Sequence, residues 1–112
     1  LVRLLTNMPE NVGGEVYWET FGRDPEFWKE MSPAWHVEAG KDIPPFFIIH
    51  TGEKESRAVI SKLFFDALQE AGVSAALLSV PEKTHGQLNR EFGLPNDRVS
   101  NLAFDWLEEL LR

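Results

Sequence analysis

The sequence contains no cysteine, which excludes disulfide bonds, thiolate nucleophiles and zinc sites built from sulfur ligands. Long apolar runs are also lacking, because Phe46 to Ile49 and Ala75 to Leu78 fall far short of the roughly 20 residues that cross a bilayer. Basic residues are few and scattered, with 11 Lys and Arg against 18 Asp and Glu and a formal net charge of −7. This balance disfavours nucleic acid and anionic membrane surfaces as partners, since the field of the protein repels phosphate.

A starting methionine is lacking as well, since the first residue is Leu1. No signal-peptide pattern follows it. The 112 residues are enough for one small domain, and 43% hydrophobic with 26% charged residues is an ordinary globular composition. We expect a globular chain whose first residues are missing.

Residues 1–43 predict an irregular, mostly helical, cap-like segment, because proline and glycine interrupt the pattern repeatedly. Two short helices fit between the breaks, Glu15–Phe21 and Pro25–Met31. Asp24 before Pro25 is typical of a helix start, with an N-cap side chain followed by proline at the first helical position. Aromatic residues concentrate here and predict either a small core or the lining of a substrate pocket: Trp18, Phe21, Phe27, Trp28 and Trp35.

Residues 44–112 predict a strand–helix–strand–helix order. The apolar runs at 46–50 and 73–80 are typical of strands covered on both faces, and Pro81 ends the second. Residues 56–71 carry apolar side chains at helical spacing up to Gly72, and a last helix follows from about Asp97 after a long loop. We therefore predict an α/β fold with parallel strands, and residues 1–112 as part of a larger domain, since two strands alone leave both sheet edges open.

Three side chains that can carry chemistry follow the predicted strands. Glu53 and Glu55 lie just beyond the first strand, and His85 lies just beyond the second. Ligands bind at the carboxyl ends of parallel strands, and a carboxylate that orients an imidazole makes it a general base. Each residue also has a plainer interpretation, His85 as a surface or capping residue and either glutamate as a favourable charge near a helix start.

His36 and His50 are interpreted as structural hydrogen-bonding residues. A metal site at His85, Glu53 and Glu55 is disfavoured, because the sequence offers no helix-spaced partner such as H-E-x-x-H. The sequence predicts no metal and no cofactor.

The ordered stretch "IPPFFIIHTGEKE…SKLFFDALQEAGVSAALLSVPEKTHGQLNREFG…LAFDWLEELL", with "FGRDPEFWKEMSPAWHV" before it, resembles the C-terminal third of esterase and lipase-like α/β hydrolases. In that family a "PPxLIxHG" strand leads to the triad acid, "ALxxAGV" ends a helix, and "VELxxxPGxxH" presents the triad histidine. The resemblance covers roughly residues 17 to 112. It implies an α/β-hydrolase fold and a serine hydrolase that cleaves carboxylic esters through a Ser–His–acid triad, without a cofactor.

The resemblance makes His85 the triad histidine and leaves two candidates for the acid. Most relatives have aspartate at the position that Lys54 occupies here, so the flanking glutamates, Glu55 first and Glu53 second, are the candidates. No serine lies in a G-x-S-x-G setting, so the nucleophile elbow is absent. We expect this chain alone to be inactive. Its expected partners are the missing N-terminal part of the same hydrolase domain and a small-molecule ester substrate.

Two alternatives stay open. A peptidase of the prolyl-oligopeptidase type shares this C-terminal layout. A non-catalytic hydrolase-like binding module would also agree with an unusual acid loop and no nucleophile.

Overall fold

A computed structural model describes residues 15–112. Six predicted helices and strands are present in the predicted order, with bounds close to those expected. They are α1 Glu15–Phe21, α2 Pro25–Glu30, β1 Phe46–Thr51, α3 Glu55–Glu70, β2 Ala75–Val80 and α5 Arg98–Leu110. A short 3-10 helix, Pro33–His36, follows α2, and α4, His85–Glu91, precedes α5. The first 14 residues of the predicted irregular segment lie outside the described residues.

The two strands form a parallel pair, as predicted. Their register runs from Phe46 opposite Ala75 to Thr51 opposite Val80. Within residues 15–112 these are the only strands, and the sheet has the order β1–β2. The described part of the chain is therefore a mixed helix and strand fold around a two-stranded parallel sheet, which confirms the α/β class at this coarse level.

Helices cover the sheet on both faces. The ring of Phe46 meets that of Phe64 on α3 edge-on, with centroids 5.2 Å apart. The ring of the next residue, Phe47, lies 5.4 Å from that of Trp106 on α5. Because successive strand side chains point to opposite faces, α3 and α5 lie on opposite sides of the sheet.

The end of α3 shows how the sequence directs the chain back into the sheet. Gly72 has φ of 75°, which favours glycine, and its N–H donates to the carbonyl of Gln69 at 3.0 Å. The N–H of Val73 donates to the carbonyl of Leu68 at 2.9 Å. This pair of bonds is the Schellman motif, and it places β2 beside β1.

The buried apolar core of the described residues is small. Its members are Trp28, Leu68, Val80 and Val99. Many large apolar side chains of the same residues stay exposed, among them Trp35, Phe92, Leu94, Phe104, Leu107 and Leu111. Exposed apolar surface on this scale is typical of a face that another part of a protein covers.

The aromatic residues of the N-terminal part divide between core and surface. Trp28 is buried, its ring centroid lies 5.6 Å from that of Trp18, and its indole N–H donates to the carbonyl of Gly22 at 3.0 Å. Trp35 is 55% exposed. The core interpretation is thus confirmed for Trp28.

No helix of the described residues is long and apolar enough to cross a bilayer.

Candidate functional site

The loops that follow β1 and β2 meet at the carboxyl edge of the sheet. Gly52, directly after β1, lies so close to the second loop that a Cβ at its position would stand 2.6 Å from the carbonyl oxygen of Pro81 and 2.8 Å from its Cα. Only glycine fits this approach. The close contact brings Glu53 and His85, which are 32 residues apart in the chain, to one place.

Glu53 accepts three hydrogen bonds, all through Oε1. The donors are the Thr51 hydroxyl at 3.3 Å, the Arg57 guanidinium at 3.0 Å and the backbone N–H of His85. The hydrogen bond from the His85 N–H, the largest effect, holds the pKa of Glu53 below its usual value. Burial opposes it, and the Arg57 charge adds a lowering effect smaller than that of burial. The carboxylate is therefore ionised at neutral pH.

His85 is the first residue of a helix, and the predicted long loop after it is wrong. Thr84 and Gln87 form a capping box in which the Gln87 N–H donates to the Thr84 hydroxyl at 3.1 Å and the Thr84 N–H donates to the Gln87 side chain at 2.8 Å. The spacing T-x-x-Q is a sequence signal for this helix start.

The imidazole of His85 is exposed and makes no hydrogen bond to any of residues 15–112. The contact with Glu53 therefore goes through the main chain of His85. Glu55 is exposed in the first turn of α3 and makes no hydrogen bond or ion pair with the described residues. The structure thus brings Glu53 to His85 and leaves Glu55 apart.

A group of charged residues holds the segment before His85. The ammonium of Lys83 lies 2.5 Å from a carboxylate oxygen of Asp97 and 2.8 Å from one of Glu91. Asp97 also caps α5, accepting from the Ser100 N–H at 2.9 Å and hydroxyl at 2.5 Å. The Lys83 hydrogen bond, followed by those from Ser100, lowers the pKa of Asp97 to about 2. Asp97 raises the pKa of Lys83 in turn.

The two remaining histidines differ in their partners. His36 Nε2 lies 2.5 Å from the carbonyl oxygen of Glu30, which confirms a structural hydrogen bond. The same prediction is wrong for Nδ1 of His50, which is buried without a partner among the described residues. Arg57 was not predicted as a site residue, because Glu53, its partner in the ion pair, lies in the loop before α3 and not on the helix.

A cavity of about 280 Å³ opens between β1, α3 and α4, and both His50 and His85 line it. The described residues contain no group of three His, Asp or Glu side chains placed to hold a metal ion. Neither protein-family models nor curated proteins nor solved structures yield a match to this chain.

Proposed function

We propose that this chain supplies the acid and the histidine of a serine hydrolase with an α/β-hydrolase fold that cleaves carboxylic esters. The observation that carries the proposal is the contact of Glu53 with His85 at the carboxyl edge of two parallel strands. Ligands of open α/β sheets bind at this edge. The resemblance of residues 17 to 112 to the C-terminal third of esterase and lipase-like hydrolases supports the same roles.

In the proposed mechanism, His85 takes the proton of a serine hydroxyl that another part of the protein supplies, as the serine oxygen attacks the ester carbonyl. His85 returns the proton to the leaving alcohol, and an acyl-serine remains. Water, activated by the same imidazole, then releases the acid and restores the serine. A carboxylate beside the imidazole fixes its tautomer and stabilises the imidazolium of each step.

The hydrogen bonds of Glu53 agree with that role. All three go to Oε1, so Oε2 has no donor among residues 15–112. The bond to the His85 N–H holds the carboxylate next to the residue that it would orient. A rotation of the exposed imidazole towards Oε2 would complete the acid–histidine pair. The lowered pKa of Glu53 keeps the charge that this pair needs.

A non-catalytic hydrolase-like module is the second candidate. The observation that favours it is that Glu53 binds the main chain of His85 and not the imidazole. In such a module Glu53 would only fix the start of α4, where a backbone N–H lacks a partner within the helix.

The assay that tests the proposal is hydrolysis of p-nitrophenyl acetate by the full-length protein. His85→Ala is expected to lower kcat by about 10²–10⁴-fold, the contribution of a general base. His36→Ala is the matched control and should leave kcat unchanged, since His36 lies in the 3-10 helix. Activity of His85→Ala equal to that of the unaltered protein would remove His85 from the mechanism.

The paired variants Glu53→Gln and Glu55→Gln identify the acid. Glu53→Gln should lower kcat by up to about 10⁴-fold, because an amide cannot stabilise the imidazolium, whereas Glu55→Gln should stay close to the unaltered protein. The reverse result would make Glu55 the acid. The coding sequence upstream of Leu1 supplies a separate test. If it encodes no G-x-S-x-G and the protein shows no hydrolysis above the blank, the protein is a non-catalytic module.

A further inference from the structure

We propose that the cavity between β1, α3 and α4 binds a small organic carboxylate with a short apolar tail. The cavity shares His85 with the proposed ester cleavage, but binding of the carboxylate needs no serine and no turnover. Its occupancy can be measured whether or not the protein hydrolyses esters.

The lining of the cavity combines apolar and polar side chains. Ile49, Ile60 and Leu88 are apolar. Four other lining side chains can each donate a hydrogen bond to an oxyanion: His50, Arg57, Ser61 and His85. No residue of the described lining carries a carboxylate. A lining of apolar groups and donors fits a ligand with an anionic head and a hydrocarbon tail.

Two polar groups of this lining lack partners. Nδ1 of His50 is buried and makes no hydrogen bond with the described residues. The hydroxyl of Ser61, half-buried on α3, also makes none within residues 15–112. A buried polar atom without a partner is unfavourable, and few native proteins keep one without a reason. An oxygen of a bound carboxylate can accept from the Nδ1–H tautomer of His50 and from Ser61.

Arg57 adds further N–H donors to the cavity, beside its ion pair with Glu53. Its Nη1 is shared between Glu53 Oε1 at 3.0 Å and Thr51 Oγ1 at 3.1 Å, and these bonds hold the side chain in place. Nη2 and Nε make no hydrogen bond with the described residues. A guanidinium fixed on one side and open on the other suits a carboxylate.

The size of the cavity limits the ligand. Its volume of about 280 Å³ corresponds to roughly nine water molecules at their share of liquid volume. Pockets for drug-sized ligands start at about 300 Å³. A head group with a tail of a few carbons fits this volume.

The experiment titrates the full-length protein with sodium butyrate and follows the imidazole Cε1–H signals by NMR, each assigned through its His→Gln variant. The signals of His50 and His85 are expected to shift together and to saturate with one Kd on the order of 1 mM, a plausible affinity for six non-hydrogen atoms. His36 does not line the cavity, so its signal should stay in place. Butylammonium, with the same tail and the opposite charge, and sodium chloride at equal ionic strength should cause no saturable shift.

Variants separate binding in the cavity from binding elsewhere. Ser61→Ala removes a donor without adding volume and should weaken butyrate binding by about tenfold. Ile60→Trp fills the cavity and should abolish binding. Lys62→Gln is the control, because Lys62 is exposed on the same helix and pairs with Asp66, and it should bind like the unaltered protein.

Three results would each overturn the proposal. The first is no saturable shift at about 50 mM butyrate, well above the expected Kd. The second is an equal response to butylammonium or sodium chloride. The third is unaltered affinity in Ser61→Ala, which retains the cavity volume and so remains informative even where Ile60→Trp fails to fold.

Discussion

Replacing Gly52 by alanine tests how the two site loops are held together. A Cβ at this position would stand 2.6 Å from the Pro81 carbonyl oxygen and 2.8 Å from its Cα. Carbon atoms rest at about 3.5–4.0 Å, so the backbone after β1 and the backbone after β2 must separate by roughly 0.7 Å. The obstacle is backbone on both sides, and no side-chain rotation relieves it.

Overpacking of this kind costs about 1–3 kcal/mol of the free energy of unfolding. The separation also moves Glu53 away from the backbone N–H of His85. That N–H belongs to the first turn of α4 and has no helical acceptor. We therefore expect Gly52→Ala to lower stability and to speed hydrogen exchange at the His85 amide.

Gly86→Ala is the matched control, one residue after His85. Its Cβ would lie 3.2 Å from Nη1 of Arg90, the far end of a flexible side chain, and Gly86 is inside α4. Alanine is favoured over glycine in a helix by about 1 kcal/mol, so this variant should be neutral or more stable. Urea unfolding and amide exchange of the full-length protein measure both effects. Equal stability of Gly52→Ala and the unaltered protein would refute the close approach of the two loops.

Three more predictions concern the scaffold of the site. Leu68→Ala removes a fully buried side chain and should cost about 2–5 kcal/mol, whereas Leu63→Ala, 41% exposed on the same helix, should cost about 1 kcal/mol; equal values in urea unfolding would contradict the packing of α3. Thr84→Ala removes the capping box of α4 and should cost about 0.5–2 kcal/mol, and far-UV circular dichroism should show the lost helical turns; unchanged stability and signal would contradict the cap. The folded-state pKa of Asp97 is lowered from 3.8 to about 2, so its contribution to stability is present above pH 4 and is lost as the pH falls towards 2. In acid titration, the stability difference between the unaltered protein and Asp97→Asn should therefore shrink over that range and not widen.

The sequence predicted the elements whose signals are local. The apolar runs of β1 and β2 and the periodic stripes of α3 and α5 each lie within one continuous segment, and Gly72 marks the end of α3 by its backbone preference. The helix α4 was missed because its seven residues contain one large apolar side chain, Leu88, and so lack a stripe. Its start was nevertheless encoded in Thr84 and Gln87.

The contacts of the site depend on tertiary structure and were less predictable. Spacing alone put His85 and both glutamates at the same sheet edge, which the strand register supports for Glu53. The missing partner of His50 depends on α3 and α4 closing over β1, and a strand-end histidine carries no local signal for that. The donors that line the cavity likewise come from three separate elements, β1, α3 and α4, and no local pattern predicts that they meet.

The length of the loop after β1 gives a physical reason to prefer Glu53 over Glu55 as the acid of the proposed triad. Only Gly52, Glu53 and Lys54 separate the strand from α3. Glu55 is already the first residue of that helix, and its side chain is exposed without a partner among residues 15–112. Glu53 follows Gly52, where the loop approaches Pro81 closely, and it lies next to His85, five residues after the end of β2. A carboxylate in a loop of three residues is fixed by the strand edge, and this one is fixed beside His85.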